Sequence, residues 1–375
     1  MIDIRSVTAD RVRIPFRRPF PTATGMWVER DAWIIRLVDG DGRVGLGEAV
    51  LDAEAGEVAD TILTALIREL VDDSAGGLPT MLDLELHGTP GRALSAALDA
   101  ARLDLASTVS PPILRAGGEG VGVNATLPSL GPAAVAEAAR QSVESGFSTL
   151  KLKAGAERET DVLVERVREI RLAVGPDVRL RLDVNGTWDL ATAEDRLDAV
   201  ARFDIEFVEQ PLPAHDLEGL ATLRRRVTVP IAADEAASSV AAVRDLLATE
   251  AVDVLVVKPA RVGGPVAAAE IAERAAGQGV PVVVSTLFET GVGIAAALAV
   301  AAGLPVAAGT RWEDELDHGL ATAGLLEHDL LTASLLVDEA RMRVPAPVGS
   351  GGLGIALDVR ALERFRTDAI GSADG

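Results

Sequence analysis

Residues 178–211 read VRLRLDVNGTWDLATAEDRLDAVARFDIEFVEQP, a strand, a helix and a second strand in unbroken succession. The run 178–185 is β-rich, 191–203 carries apolar residues every three or four, and 205–211 is β-rich again. A helix between two such strands predicts a parallel pair, because the crossover must carry the chain back to the end where the first strand began. Each strand also closes on a carboxylate, Asp183 in the first and Glu209 in the second.

The same alternation extends in both directions. Strand-like runs fall at 121–127, 148–153, 229–235, 252–259 and 280–286, with a weaker eighth near 305–309. Amphipathic stretches follow them at 131–145, 158–174, 216–226, 237–249, 264–278 and 290–302. This predicts an α/β chain with a (β/α)₈-type, TIM-like barrel over residues 116–340. Residues 1–115 read instead as an α+β capping domain. They hold β-rich runs at 3–16 and 31–38, a hairpin turn at Asp39-Gly40-Asp41-Gly42, and helical periodicity at 55–72 and 91–108 before a break at Ser110-Pro111-Pro112. The last segment, 341–375, holds Pro345, Pro347, a glycine cluster and the helical LDVRALERFR, and is expected to return to the capping domain.

Composition narrows the partners. Among 375 residues, 57 acidic side chains face 36 basic ones for a net charge of -21, which opposes nucleic-acid binding because phosphate contacts need concentrated Lys and Arg. With no cysteine there is no disulfide framework and no thiolate ligand or nucleophile. No apolar run is long enough for a membrane helix and the start lacks a signal-peptide layout, so the expectation is a soluble cytoplasmic protein without membrane contact. Only Lys151, Lys153 and Lys258 among the basic residues are lysine. Arginine stays protonated at any accessible pH, whereas a lysine amine can lose its proton and act as a base.

Barrel active sites lie at the C-terminal ends of the strands. Those ends carry Lys151 and Lys153, Asp183 and Asn185, Glu209, Asp234 and Glu235, and Lys258, each set one strand-plus-helix unit from the next. All three lysines therefore fall at one mouth. A single acid at a strand end would read as a helix cap. Three in phase would repel one another without a cation, and an all-oxygen set favours Mg²⁺, or Mn²⁺, over Zn²⁺. Lys151 and Lys153, two apart on a strand, point the same way, and each cation should lower the pKa of its neighbour. Such a mouth suits removal of a proton α to a substrate carboxylate, with metal and Lys258 stabilising the enediolate.

Lys151-Leu152-Lys153, Asp183-Val184-Asn185, Val208-Glu209-Gln210-Pro211, Ala233-Asp234-Glu235 and Lys258-Pro259 together resemble the muconate-lactonizing-enzyme subgroup of the enolase superfamily. The resemblance implies Asp183, Glu209 and Asp234 as Mg²⁺ ligands, Lys153 as acid/base catalyst, Lys151 as its tuning neighbour and Lys258 on the opposite face. It also implies a mobile loop over residues 16–28 covering a small-molecule carboxylate substrate, with Thr22, Thr24 and Met26 as contacts. Asn185, Glu235, Asn124, Ser285, Glu289 and Glu315 are further candidates around the substrate. Val123-Asn124-Ala125-Thr126, the run 285–293 and the run 318–322 resemble the o-succinylbenzoate synthases, which implies syn-dehydration in menaquinone biosynthesis. An N-succinylamino acid racemase is the alternative, followed by a muconate or chloromuconate cycloisomerase or a dipeptide epimerase. Asp314-Glu315-Leu316-Asp317 has the wrong spacing for the epimerases' Asp-x-Asp pair.

A barrel that merely binds a small acid is the reading from a different class; it would be expected to have lost the base or a ligand, and none is missing. Gly349-Ser350-Gly351-Gly352-Leu353-Gly354 matches a dinucleotide spacing but lacks the strand before and the helix after, so it reads as a turn. The four histidines show no metal spacing. A homo-oligomer is left open.

Overall fold

The computed structural model describes residues 3–22, 25–52, 55–72, 77–106, 120–156, 159–305, 316–346 and 352–371. β1 (Ile4–Thr22) and β2 (Gly25–Asp39) are long antiparallel arms, and β3 (Val44–Ala49) pairs with β2. The turn between β2 and β3 is held by Asp39, whose carboxylate accepts the amides of Asp41 and Arg43. α1 (Gly56–Asp72), α2 (Met81–Glu85) and α3 (Gly88–Leu105) follow. Trp33, Ile35, Leu37, Ile67, Leu94 and Leu98 form the core between this sheet and these helices. α3 can approach β3 only because Gly47 has no side chain: a Cβ there would lie 1.9 Å from the carbonyl oxygen of Ala97.

The second half alternates as read. β4 (Val121–Gly122), β5 (Ala125–Leu127), α4 (Pro132–Glu144), β6 (Thr149–Lys153), α5 (Thr160–Val174), β7 (Arg179–Asp183), α6 (Leu190–Val200) and β8 (Ile205–Glu209) come first. α7 (Leu217–Arg226), β9 (Ile231–Ala233), α8 (Val240–Ala248), β10 (Val254–Val257), α9 (Pro259–Val262), α10 (Pro265–Ala276), β11 (Val282–Val284) and α11 (Gly291–Ala302) complete the alternation. Among the described residues seven strands form one parallel sheet, β11-β10-β9-β8-β7-β6-β5.

Of the eighth strand expected near 305–309, residues 306–309 lie outside the described residues. The place between the two edges is taken later in the chain. His318 bridges Val123 and Gly319 bridges Ser285, both in parallel sense, so a short run at 317–319 closes the cylinder. Asp317 anchors it by accepting from Thr149 Oγ1 at 2.6 Å and Arg179 Nη2 at 2.7 Å.

β12 (Val337–Asp338) and β13 (Arg341–Met342) form a small hairpin on β4. α12 (Val359–Phe365) leads into β14 (Arg366–Ile370), which pairs antiparallel with β1. The C-terminal segment thus returns to the N-terminal sheet. Much of residues 16–28, expected as a loop, extends the β1–β2 hairpin, with Phe20 opposite Trp27 and an irregularity between Pro15 and Phe20. The reason is aromatic packing: Phe16, Phe20 and Trp27 gather on Phe288 with ring centroids 4.9–6.0 Å apart. No helix among the described residues is long and apolar enough to cross a membrane.

Candidate active site

Strand register builds the site. Lys153 on β6 stands opposite Asp183 on β7, and Asp183 stands opposite Glu209 on β8, so three functional side chains share one level. Asp234 follows β9, held by Gln210, whose side-chain oxygen accepts the amides of Asp234 and Ala236 at 3.0 Å each. Gln210 adopts a left-handed φ of 41°, which turns it back across the strand ends. Lys258 closes β10 at the first turn of α9.

The charged groups interlock. Lys151 Nζ donates to Glu209 at 3.0 Å and lies 3.0 Å from Asp183; Lys153 Nζ donates to Asp183 at 2.6 Å and to Asn185 Oδ1 at 3.1 Å. Lys258 Nζ donates to Asp234 at 2.5 Å. Asn185 donates on to Glu235 at 3.0 Å. Arg261, which the sequence reading missed, donates to Asp234 at 2.5 Å and to Asp52 at 3.0 Å, tying the barrel to the capping domain.

Burial opposes the charge on Lys151, but Asp183, Glu209 and Asp234 outweigh it and hold the ammonium above its ordinary range. The expectation that each lysine of the pair lowers the other therefore fails for Lys151. The acids around it dominate, and it is a fixed cation beside Lys153. Asp183 and Asp234 are held below the usual carboxylate range, because their neighbouring lysines, with Arg261 at Asp234, overcome the burial that would raise them. Glu209 goes the other way, pushed up to about 8 by burial and by Asp183.

These groups face a cavity of about 310 Å³. Lys151, Lys153, Asp183, Asn185, Glu235, Lys258 and Ser285 line it, whereas Glu209 and Asp234 sit behind their lysines. Phe20, Trp27 and Phe288 roof one side, and Thr126, Thr286 and Thr322 add hydroxyls that the sequence reading did not single out. Asn124 is buried lower in the barrel and accepts from Arg181; Glu289 turns back to the Leu287 amide; Met26 is exposed and borders a separate cavity on the capping domain. Thr24, Glu315 and the side chain of Thr22 lie outside what the structure describes.

As the side chains stand, no three His, Asp or Glu among the described residues are placed to hold one metal ion, because the ammonium groups lie between the carboxylates. The donor set nevertheless fits a hard divalent cation. It is all oxygen, burial and Asp183 outweigh Lys151 at Glu209, and Glu235 Oε2 is buried without a hydrogen-bond partner.

Residues 134–361 match the Enolase C-terminal domain-like family. An o-succinylbenzoate synthase of Thermobifida fusca is 45% identical over 222 residues, 58% of this chain and 64% of that protein; the chain thus spans under two thirds of that relative's length. An N-succinyl-L-Arg/Lys racemase of Bacillus cereus is 28% identical over 304 residues, 77% of this chain and 81% of that protein. The crystal structure of a muconate lactonizing enzyme from Pseudomonas fluorescens, complexed with muconolactone, superposes with a TM-score of 0.83 at 26% identity over 98% of this chain and 100% of that one.

Proposed function

The chain belongs to the Enolase C-terminal domain-like family, and from that premise we propose that it is an enzyme removing the proton α to a substrate carboxylate, with o-succinylbenzoate synthesis as its reaction. The observation that supports this most is the register that brings Lys153, Asp183 and Glu209 to one level at the mouth of a closed barrel. The 45% identity to a synthase favours the dehydration over its neighbours. Residues 1–115 and 341–375 serve as the cap, and 116–340 as the barrel that carries the chemistry.

Asp183, Glu209 and Asp234 would hold Mg²⁺, with Mn²⁺ able to replace it. The bound cation would supply positive charge for the substrate carboxylate as its α-carbon is deprotonated. The rest falls to the chain's own groups. Lys153 Nζ, in its neutral form, takes the α proton. The resulting ammonium gives that proton to the departing hydroxide on the same face, so water leaves and the ring becomes aromatic. Asn185 orients Lys153, accepting at 3.1 Å and donating to Glu235. Lys258, four strands away around the cylinder, faces the substrate from the other side and stabilises negative charge. The apolar roof of Phe20, Trp27 and Phe288 closes one side of the cavity to water.

Lysines on opposite sides also support a second reading, the N-succinylamino acid racemase, in which Lys153 and Lys258 each exchange a proton. A substrate panel with Mg²⁺ separates the two: the cyclohexadiene precursor of o-succinylbenzoate, N-succinyl amino acids, muconates and dipeptides. Fastest turnover is expected with the precursor. No turnover of it beside rapid racemisation of an N-succinyl amino acid would reverse the order, and silence across the panel would contradict both.

A further inference from the structure

Helix α11 starts at the wall of the cavity, and its first turn is capped from outside. Gly291 N–H donates to Asp329 at 2.7 Å and Val292 N–H to Thr290 Oγ1 at 3.3 Å. Gly293 N–H donates at 2.9 Å to Glu48 Oε2, a carboxylate from β3 of the capping domain. Glu48 also accepts from Thr290 N at 3.0 Å and Thr290 Oγ1 at 2.7 Å. These are the free amide donors that every helix start must satisfy, and Glu48, 242 residues from Thr290, takes two of them, those of Thr290 and Gly293.

The residues just before this helix form the cavity wall. Ser285, Thr286, Leu287 and Phe288 line it, and Phe288 adopts a left-handed φ of 62°, an unusual conformation for a bulky side chain that the surroundings must impose. Its ring lies 4.9 Å from Phe20 and 5.6 Å from Trp27. The next residue, Glu289, is buried and bonded back to the Leu287 amide. Gly293 admits both carboxylates: a Cβ there would come within 2.6 Å of Glu289 Cβ and 3.1 Å of Glu48 Oε2. Buried Arg30 from β2 faces Glu48 and Glu289, with its guanidinium 5.1 Å from the Trp27 ring centre. Burial raises Glu48 and pushes Glu289 up to about 7, with Arg30 the positive group that opposes the shift at both.

We propose that Glu48 is a positioning residue: by capping α11 across the two domains it fixes the Phe288 segment as a wall of the substrate cavity, so that substrate affinity depends on how the capping domain is seated. Glu48 itself does not line the cavity. The inference rests on the reading that this cavity takes the substrate. On this proposal the wall holds the substrate equally before and during the reaction, so loosening it removes binding that ground state and transition state share.

The test uses the full chain with Mg²⁺ and three variants, Glu48→Ala, Glu48→Gln and Glu48→Asp. Hydrogen exchange is measured without substrate, and steady-state kinetics with the panel member that wild type turns over. In Glu48→Ala, amides over 285–293 are expected to exchange about ten-fold faster while β6–β8 stay protected, the size a lost cap gives. KM is expected to rise about ten-fold with kcat within about three-fold, and Glu48→Gln, which keeps one acceptor oxygen, to recover part of both. Unchanged exchange over 285–293, a loss confined to kcat, or faster exchange across the whole chain in all three variants would overturn the proposal. The exchange arm needs no substrate. A wild type inactive on the whole panel would contradict the functional reading, and the exchange measurement would still decide Glu48.

Discussion

Lys258 is the residue on which the two candidate reactions divide. Its Nζ lies 2.5 Å from Asp234, which Arg261 also holds at 2.5 Å, so it sits in a buried ion-pair network. In the dehydration it only stabilises charge. Lys258→Ala should therefore cut kcat about 100-fold, the size of one lost electrostatic donor, while Lys153-dependent α-proton removal persists. Steady-state rates with an exchange assay check this, and exchange lost together with turnover would assign Lys258 a proton of its own. The strand-end residues were legible in the sequence because barrel chemistry recurs once per strand-plus-helix unit. Arg261 was not, since it sits four residues beyond the end of β10 and its meaning comes from Asp52, 209 residues away. Nor could spacing show that three acids would dominate the pairing of Lys151 with Lys153.

At the scale of elements, the repeating strands and helices were read closely, because hydrophobic period and turn residues are local signals. The expected helix at 158–174 is α5, Thr160–Val174, and that at 290–302 is α11, Gly291–Ala302. Two elements that shape the site escaped. The closing strand at 317–319 is too short to show a period and is defined by its bridges to Val123 and Ser285. The hairpin extension at 16–28 depends on a distant partner, Phe288. The contact of β3 with α3 yields a prediction at this scale. Gly47→Ala would place a methyl 1.9 Å from the Ala97 carbonyl, backbone that cannot turn aside, so β3 and α3 must separate. A loss of about 3 kcal/mol is expected, read as a lower urea midpoint. An unchanged midpoint would show that the sheet and helix can separate freely.

For the whole molecule, two bodies meet over the cavity. The capping sheet supplies Val12, Ile14 and Ile34, and the barrel side supplies Leu287, Val292 and Leu330, to one apolar cluster. Arg261 with Asp52 and Glu48 with α11 add polar ties across the same junction. The division into barrel and cap could be anticipated from the change of texture along the chain and the returning C-terminal segment. How the cap seats on the barrel could not, because it is set by side chains hundreds of residues apart. The central claim is that this assembly places Lys153 to take a proton from the carbon beside a carboxylate. The most direct measurement follows deuterium uptake from D₂O at the α-carbon of an N-succinyl amino acid, with Mg²⁺, for wild type and Lys153→Ala. Uptake by wild type that falls at least about 1000-fold in Lys153→Ala is predicted, the scale of a lost general base; uptake at the same rate in both would contradict it.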